Sequence, residues 1–182
     1  LKQNHRIKVV ARRADHHTGE YRTLPIVIIA GENRKETICT EYGNKLIVNP
    51  EQAYFSIRSG SERKRIALQV KDQEQILVMF SGIAPYPIML SRHSAARHIT
   101  GIELNPEAHL LGTRNVALNK LGNIRLIKGG VEEVAHSLSA HYDRIVMPLP
   151  HKAVSFLPLA LNILKPGGII HLYAFQEKKD EI

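Results

Sequence analysis

A loop and a carboxylate in the middle of the chain have the residue types and spacing of a nucleoside-binding site. The stretch VMFSGIAPYPI, residues 78–88, contains Gly82, which would let the backbone approach a ligand closely before a helix begins. Glu103 lies 21 residues beyond Gly82, where a carboxylate can accept hydrogen bonds from both hydroxyls of a ribose. The pair favours an adenosine ligand. The alternative is a surface carboxylate that caps the next helix.

The second half of the chain alternates between strand-like and helix-like stretches. The strand candidates are QILVMF, ARHITGIEL, NIRLIKG, YDRIVMPL and GGIIHLYAF. One helix is predicted for LNPEAHLLGTRNVALNKLG, with Asn105 as its cap, Pro106 at its first position and Gly122 at its end. A second is predicted for HKAVSFLPLALNILKPGG, whose last four residues should stop it and start a strand. The pattern predicts an α/β fold, a parallel sheet with helices on both faces, with ligands at the carboxyl ends of its strands.

A small β-rich α+β domain is predicted before this sheet. PIVIIAG (residues 25–31) and NKLIVNP (residues 44–50) indicate strands, ETICTEYG between them alternates, and SERKRIALQV (residues 61–70) indicates a helix. We therefore expect three regions: the small domain at 1–52, a linker and joining helix at 53–72, and the sheet domain at 73–182.

Positive charge is concentrated near the start of the chain. The net charge is +8, and residues 1–66 hold 13 Lys and Arg against 7 Asp and Glu, whereas residues 67–182 hold 12 against 10. Such a surplus raises the local concentration of polyanions and suits a phosphate backbone. We expect the phosphate contacts to come from Arg12, Arg13, Arg34 and Lys35.

Composition argues against several other classes of protein. No apolar run is long enough to cross a bilayer, and the ten histidines lack the spacing with carboxylates or cysteines of a metal site. The single cysteine, Cys39, excludes an internal disulfide and fits a reducing compartment. We expect a cytoplasmic monomer without a metal or a membrane partner. Because the chain begins at Leu1 rather than at a methionine, we also expect a fragment.

Eight motifs cover most of the chain: GEYRTLP, IAGENRKETICTEYG, YFSIRSGSERKRI, MFSGIAPYPI, GIELNPEA, RNVALNKL, RIVMPLPH and GGIIHLYAF. They resemble the archaeal and eukaryotic tRNA (guanine-37-N1)-methyltransferase family and its relatives in wybutosine synthesis. The resemblance implies a class I methyltransferase sheet of Rossmann-like type that binds S-adenosylmethionine, preceded by a domain facing the anticodon arm of tRNA. It also implies methyl transfer to N1 of guanosine 37, and two further strands beyond Ile182.

The resemblance gives roles to particular residues. It implies that Arg58 holds the target guanine and that Glu62 accepts the N1 proton, which must leave before N1 becomes a good nucleophile. The two are four residues apart and would share a helical face if the helix begins early enough. The alternative is that they form solvated ion pairs with Arg63 at a helix start.

The remaining expected site residues form two groups. Those expected to bind the cofactor are Phe80, Ser81, Gly82, Ile83, Ala84, Pro85, Glu103, Leu104 and Pro148. Those expected to bind the substrate, besides the four basic residues, are Tyr54, Phe55, Pro150 and His151. Tyr54 and Phe55 could instead pack an inter-domain seam, and His151 could be a polar residue that starts a helix.

Four positions depart from the family pattern. Val78 replaces an acidic residue, Ala84 a glycine, Gly130 an acidic residue expected near the adenine, and Pro148 an asparagine expected to position the target base. These changes leave a second function class open, a non-catalytic RNA-binding descendant. A third possibility is transfer of the cofactor's aminocarboxypropyl group, which Arg58 disfavours. Together Arg58, Glu62 and Glu103 favour the methyltransferase.

Overall fold

The structure is a computed structural model that describes residues 7–16, 19, 21–138, 141–149 and 152–175. Two antiparallel hairpins come first: strand β1 (Val9–Arg13) pairs with β2 (Ile26–Gly31), and β3 (Thr37–Glu41) pairs with β4 (Asn44–Val48). Each hairpin is a two-stranded sheet of its own. A 3-10 turn at Ile57–Ser59 then leads into helix α1 (Gly60–Ala67).

The rest of the described chain forms one parallel sheet with helices between its strands. In chain order these elements are β5 (Gln75–Met79), α2 (Pro85–His93), β6 (His98–Glu103), α3 (Pro106–Leu118), β7 (Ile124–Lys128), α4 (Val131–Ser137), β8 (Tyr142–Met147), α5 (Leu157–Ile163) and β9 (Leu164–Leu172). The strands lie in the order β7-β6-β5-β8-β9. The order reverses beside β5, so the loop after β5 lies at the topological switch point, where such sheets bind ligands.

Helices cover both faces of the sheet because its central strands are apolar on both sides. On one face, Val78 of β5 packs with Ile66 of α1 and Met89 of α2. On the other face, Met79 of β5 packs with Val134 of α4. The predicted architecture, a parallel α/β sheet with helices on both faces after a small β-rich part, is confirmed.

Several element boundaries differ from the predictions. The sequence patterns did not single out β1 or α4, and the seven residues of α4 are too few for a clear helical period. Helix α1 ends at Ala67 rather than at residue 70, and α3 ends at Leu118, before Gly122. Residues 165–168, predicted to stop a helix and start a strand, already belong to β9 and lie at a register shift opposite β8. Gly167 has φ +77° there, so the extra residues fit as an irregularity of the strand.

The β3–β4 hairpin is held against α3 by two asparagine side chains. Asn115 accepts from the backbone N–H of Ile47 at 2.6 Å and donates to its carbonyl at 3.1 Å. Asn119 does the same with Lys45, at 2.9 and 2.7 Å. Because an amide carries a donor and an acceptor side by side, each asparagine pairs with β4 as a neighbouring strand would.

The β1–β2 hairpin and the segment after it are attached through a backbone hydrogen bond from Leu24 to the carbonyl of Pro50, at 2.8 Å, and through exposed charges near Glu51. Glu51 pairs with Lys35 at 2.7 Å and accepts from the backbone N–H of Ile26 at 3.1 Å. Arg114 of α3 pairs with Glu36, in the segment that leads from this hairpin to β3, at 2.8 Å. The predicted boundary at residue 52 groups both hairpins in one domain, and it stays a prediction.

A fully buried arginine ties the segment before β5 to β8 and β9. Arg144 of β8 makes two hydrogen bonds with the carboxylate of Glu74, at 2.7 and 3.0 Å, and donates to the carbonyl of Gln69 at 2.8 Å. It also lies 2.6 Å from Nε2 of His171 in β9. Burial, and then the nearby Arg144 cation, lower the pKa of His171 to about 4. The ring is therefore neutral at pH 7 and accepts this hydrogen bond.

Candidate active site

The loop between β5 and α2 has an unusual backbone conformation. Phe80, Gly82 and Ala84 have φ of 59°, 55° and 66°, in the left-handed region that favours glycine. The loop is held in place because Ser81 donates its N–H to the carbonyl of Ile102 at 2.8 Å and Ala84 donates to Ser81 at 3.0 Å. Ala84 thus has the backbone conformation of a glycine, the residue expected there from the family pattern.

Glu103 lies beside this loop at the end of β6, as the spacing predicted. Its carboxylate accepts from the backbone N–H of Gly82 at 2.7 Å and from that of Asn105 at 2.8 Å. Burial raises the pKa of Glu103, although these backbone hydrogen bonds oppose the rise. A carboxylate has about four acceptor positions, so with the backbone N–H of Leu104 also directed at it, roughly one or two remain for the hydroxyls of a ligand.

The cap of α3 is Asn105 and not Glu103. The Asn105 side chain accepts from the backbone N–H groups of Glu107 and Ala108 at 3.0 and 3.4 Å, which confirms the predicted cap. The alternative in which Glu103 caps this helix therefore does not hold. Glu103 instead links the glycine loop to the start of α3.

The side chains of the loop mostly point into the protein. Ser81, Ile83 and Ala84 are buried, and the Phe80 ring packs edge-on against Phe156 at 5.0 Å between centroids. A Cβ added at Gly82 would meet only the carbonyl oxygen of Tyr54, at 4.0 Å. The loop thus has room for a small group at Gly82, with Glu103 at one side.

The start of α2 offers fewer N–H groups than expected. Pro85 and Pro87 lack the N–H group, and Ile88 donates its own to the carbonyl of Ala84 at 3.1 Å. The N–H of Gly82 is already used by Glu103. Contacts with a ligand must therefore depend less on backbone donors, and more on Glu103 and on shape, than the sequence suggested.

The surroundings of Val78, Gly130 and Pro148, the other positions that depart from the family pattern, can be described from burial and neighbouring atoms. Val78 is fully buried in the core, where an ionised side chain would be costly. Gly130 caps α4, and a Cβ there would lie 3.9 Å from a carboxylate oxygen of Glu133, so an acidic group is present near this position. Leu104 is exposed and Pro148 and Pro85 are half-buried.

A cleft of about 380 Å³ lies between β1 and the segment before α1, and it is related to the loop through Tyr54, whose carbonyl oxygen is the atom nearest a Cβ at Gly82. Arg13, Tyr54, Phe55 and Arg58 are among its lining residues. The Tyr54 ring is exposed, and the guanidinium of Arg22 lies 5.1 Å from its centroid. Phe55 is half-buried against the core and under Arg63, which favours the packing alternative for Phe55.

Arg58 and Glu62 do not lie on one α-helix, so the condition for a shared helical face is not met. Arg58 belongs to the 3-10 turn, and α1 begins only at Gly60, so the helical spacing between them does not apply. Glu62 pairs with Arg65, which donates to both carboxylate oxygens at 2.7 Å, and accepts from the Tyr173 hydroxyl at 2.6 Å. The Arg65 partner, and then the Tyr173 hydrogen bond, lower the pKa of Glu62 to about 2.

Arg63 does not pair with Glu62 or Arg58. It is buried and makes a two-pronged ion pair with Glu41 of β3, and it donates to the carbonyl of Ser56 at 3.0 Å. This pair fixes α1 against the β3–β4 hairpin. The alternative of solvated ion pairs between Glu62 and Arg63 therefore does not hold, and the partly exposed partner of Glu62 is Arg65 instead.

The basic residues expected to contact RNA differ in their surroundings. Arg12 and Arg13 are exposed on β1. Arg34 pairs with Glu32 at 2.6 Å and Lys35 with Glu51 at 2.7 Å. Pro150 and His151 lie outside the described residues.

Sequence reasoning missed three residues near this site, namely Arg22, Tyr86 and Tyr173. Arg22 lies within the GEYRTLP motif, so its position was marked but its partner was not. Tyr86 and Tyr173 are joined by their hydroxyl groups at 3.0 Å, and the only signal was that Tyr86 lies in the first turn of the helix after the glycine loop.

No helix in the described part of the chain is long and apolar enough to cross a membrane. Among the same residues, no group of three or more His, Cys, Asp and Glu could hold a metal ion.

The sheet and its loop have the Rossmann-like architecture of class I methyltransferases, and comparison with known proteins identifies the family of the chain. The sequence model of the TRM5/TYW2 methyltransferase domain matches residues 37–182, so the chain belongs to this family. The tRNA (guanine(37)-N(1))-methyltransferase Trm5b of Pyrococcus abyssi is 35% identical over 174 residues, which cover 96% of this chain and 51% of that protein.

Two solved structures show the same fold. The complex of aTrm5 with tRNALeu has a TM-score of 0.83 at 34% identity, over 95% of this chain and 50% of that one. The TYW2 of Methanocaldococcus jannaschii with AdoMet has a TM-score of 0.73 at 30% identity, over 82% of this chain and 67% of that one. The chain spans about half the length of the Trm5 proteins it matches.

Proposed function

We propose that the protein is a tRNA methyltransferase that moves the methyl group of S-adenosylmethionine to N1 of guanosine 37 in the anticodon loop. One observation carries the proposal: the backbone at Gly82, where an added Cβ would meet no clash, lies between the carboxylate of Glu103 and the carbonyl group of Tyr54. The cofactor loop and the aromatic, basic cleft are therefore adjacent. The Trm5b relative and the tRNA-bound aTrm5 structure support the same reading.

The residues present fit S-adenosylmethionine. Glu103 would hold the ribose hydroxyls, the backbone at Gly82 would lie against the cofactor, and Glu133 is the carboxylate nearest the position where the family pattern has an adenine contact. When bound, the cofactor supplies a methyl carbon on a positively charged sulfur, which is an electrophile. The AdoMet-bound TYW2 structure supports this assignment.

The chain's own side chains would prepare the guanine. Glu62 would take the N1 proton, so that the N1 electron pair is free to form the new bond to carbon while the carbon–sulfur pair stays on sulfur. Tyr54 would stack on a base, and Arg58, exposed at the cleft, would hold O6 as negative charge develops there. We also propose that the protein is a monomer, that it acts in the cytoplasm and that it binds the anticodon arm of tRNA.

Gly82→Ala should weaken binding of S-adenosylmethionine by about tenfold or more, because the new methyl group projects into the space proposed for the cofactor. Gly43→Ala is the matched control, since Gly43 also has a positive φ and open space around a Cβ. Both variants should unfold about 1 kcal/mol more easily. Isothermal calorimetry and urea unfolding measure the two effects. Equal affinity in the two variants would contradict the placement of the cofactor.

Neutralising Arg12 and Arg13 together should weaken tRNA binding and reduce its dependence on salt, because each lost phosphate contact lowers the slope of log K against log salt by about 1. The control replaces Lys71 and Arg97, two exposed cations in the segments that lead into β5 and β6, at the amino-terminal ends of these strands. Filter binding at several salt concentrations gives the slope. A slope that stays equal to the parent's would place the RNA surface elsewhere.

Analysis of the tRNA product separates the methyltransferase from the two alternative functions, the aminocarboxypropyl transferase and the non-catalytic RNA-binding protein. Mass spectrometry of nucleoside 37 distinguishes an added methyl group from an added aminocarboxypropyl group. A protein that binds tRNA and S-adenosylmethionine but leaves guanosine 37 unchanged would be the non-catalytic descendant. Val78 and Ala84, which favoured that alternative in the sequence, both fit the fold without closing the space at Gly82.

A further inference from the structure

We propose that Tyr173 positions the carboxylate of Glu62 to accept the proton of the substrate. The inference rests on the proposed function, in which Glu62 is the base. Tyr173 follows β9 and is 111 residues away from Glu62 in the chain, yet its hydroxyl donates to Glu62 Oε1 at 2.6 Å. A contact of this length to an ionised group is a strong hydrogen bond.

Tyr173 is itself held in place by Tyr86, a residue of the helix that follows the glycine loop. The hydroxyl of Tyr86 donates to the hydroxyl of Tyr173 at 3.0 Å, and the two rings lie 6.4 Å apart between centroids. Tyr86 is buried in the first turn of α2, directly after the glycine loop. Burial raises the pKa of Tyr173, so it stays a donor at neutral pH. A chain of two hydroxyls therefore links the loop to Glu62.

The contacts of Glu62 distinguish its two oxygens. Oε1 accepts from both Tyr173 and Arg65, whereas Oε2 accepts only from Arg65 among the described residues. Because each carboxylate oxygen has about two acceptor positions, Oε2 is the oxygen with room for the guanine N1–H. Tyr173 thus holds one oxygen and leaves the other for the reaction.

Arg65 alone would hold the carboxylate poorly. Its side chain is 54% exposed, and exposed ion pairs three residues apart on a helix fix geometry weakly. Tyr173, by contrast, comes from the sheet and packs against the core beside Ile66. A carboxylate anchored to the rigid sheet loses fewer orientations when the substrate arrives, which favours proton transfer.

A double-mutant cycle with Glu62 tests the inference. In the full-length protein, Tyr173→Phe should lower the single-turnover rate of guanosine 37 methylation by about tenfold, because a hydrogen bond to a charged group is lost while the ring stays. In the Glu62→Gln background the same change should alter the rate by less than about twofold, since the base that Tyr173 positions is already absent. Dissociation constants for tRNA and S-adenosylmethionine should equal the parent's.

Tyr142→Phe is the matched control. The Tyr142 hydroxyl bonds to Thr100 at 3.3 Å inside the same sheet, away from Glu62, so this variant should methylate at the parent rate. Equal losses from Tyr173→Phe with and without Glu62 would show a structural role and overturn the inference, as would a parent-like rate in Tyr173→Phe. A parent that does not methylate guanosine 37 would instead overturn the proposed function, and the inference with it.

Discussion

Replacing Glu62 with glutamine should lower the single-turnover rate of guanosine 37 methylation by about 10² or more. Glutamine keeps the shape of the side chain and can still accept from Tyr173, but it cannot take the N1 proton. Binding of tRNA should change little, because Glu62 carries the wrong charge to attract phosphate. Rapid quench with excess protein measures the rate, and a tRNA binding assay measures the affinity.

The pH dependence of this comparison follows from the pKa of Glu62. With a pKa of about 2 in the free protein, the carboxylate is ionised throughout the assay range, so the ratio of the two rates should be constant from about pH 6 to 8. A carboxylate with so low a pKa is a weak base. Covering it with the guanine would remove water from it and raise its pKa, and a constant ratio requires that the raised pKa stay well below pH 6.

Asp72→Asn is the control for the change from carboxylate to amide. Asp72 is exposed in the turn before β5, far from the loop at the carboxyl edge, and its replacement should leave the rate at the parent value. A parent-like rate for Glu62→Gln would remove Glu62 from the role of base while leaving the methyltransferase assignment intact.

Arg144→Met should lower the free energy of unfolding by about 3–5 kcal/mol at neutral pH. The substitution leaves the Glu74 carboxylate in the interior without its cation, and it removes the donors to Gln69 and His171. Adding Glu74→Leu to this variant should restore part of the loss, since an unpaired buried charge is then no longer present. Urea unfolding followed by circular dichroism measures both variants.

Arg34→Met is the comparison for a surface pair. Arg34 and Glu32 are both largely exposed, so this change should cost less than about 1 kcal/mol. If Arg144→Met is no more destabilising than Arg34→Met, the buried network does not hold the segment before β5 to the sheet.

The parts of the site that the sequence predicted are those that lie close together in the chain. Gly82 and Glu103 meet because one strand, one helix and a second strand separate them, and a unit of this kind has a nearly fixed length. Asn105 was recognisable as a cap because its partners are two and three residues away.

The contacts that the sequence did not predict depend on tertiary packing. Tyr173 reaches Glu62 only because β9 lies beside β8 with an irregular register, and no local pattern encodes that register. The expected shared helical face of Arg58 and Glu62 fails for a local reason. The chain makes a 3-10 turn before α1, so a spacing of four there does not place two side chains on one face.

The segment that joins the β1–β2 hairpin to β3 is held by exposed ion pairs, so its attachment depends on the ionic medium. The Lys35–Glu51 and Arg114–Glu36 pairs are screened as salt rises, whereas the asparagine contacts of the β3–β4 hairpin carry no charge to screen. Added salt would therefore loosen residues 32–36 and weaken attraction to RNA together, while the uncharged bond from the Leu24 N–H to the carbonyl of Pro50 would still hold the hairpin.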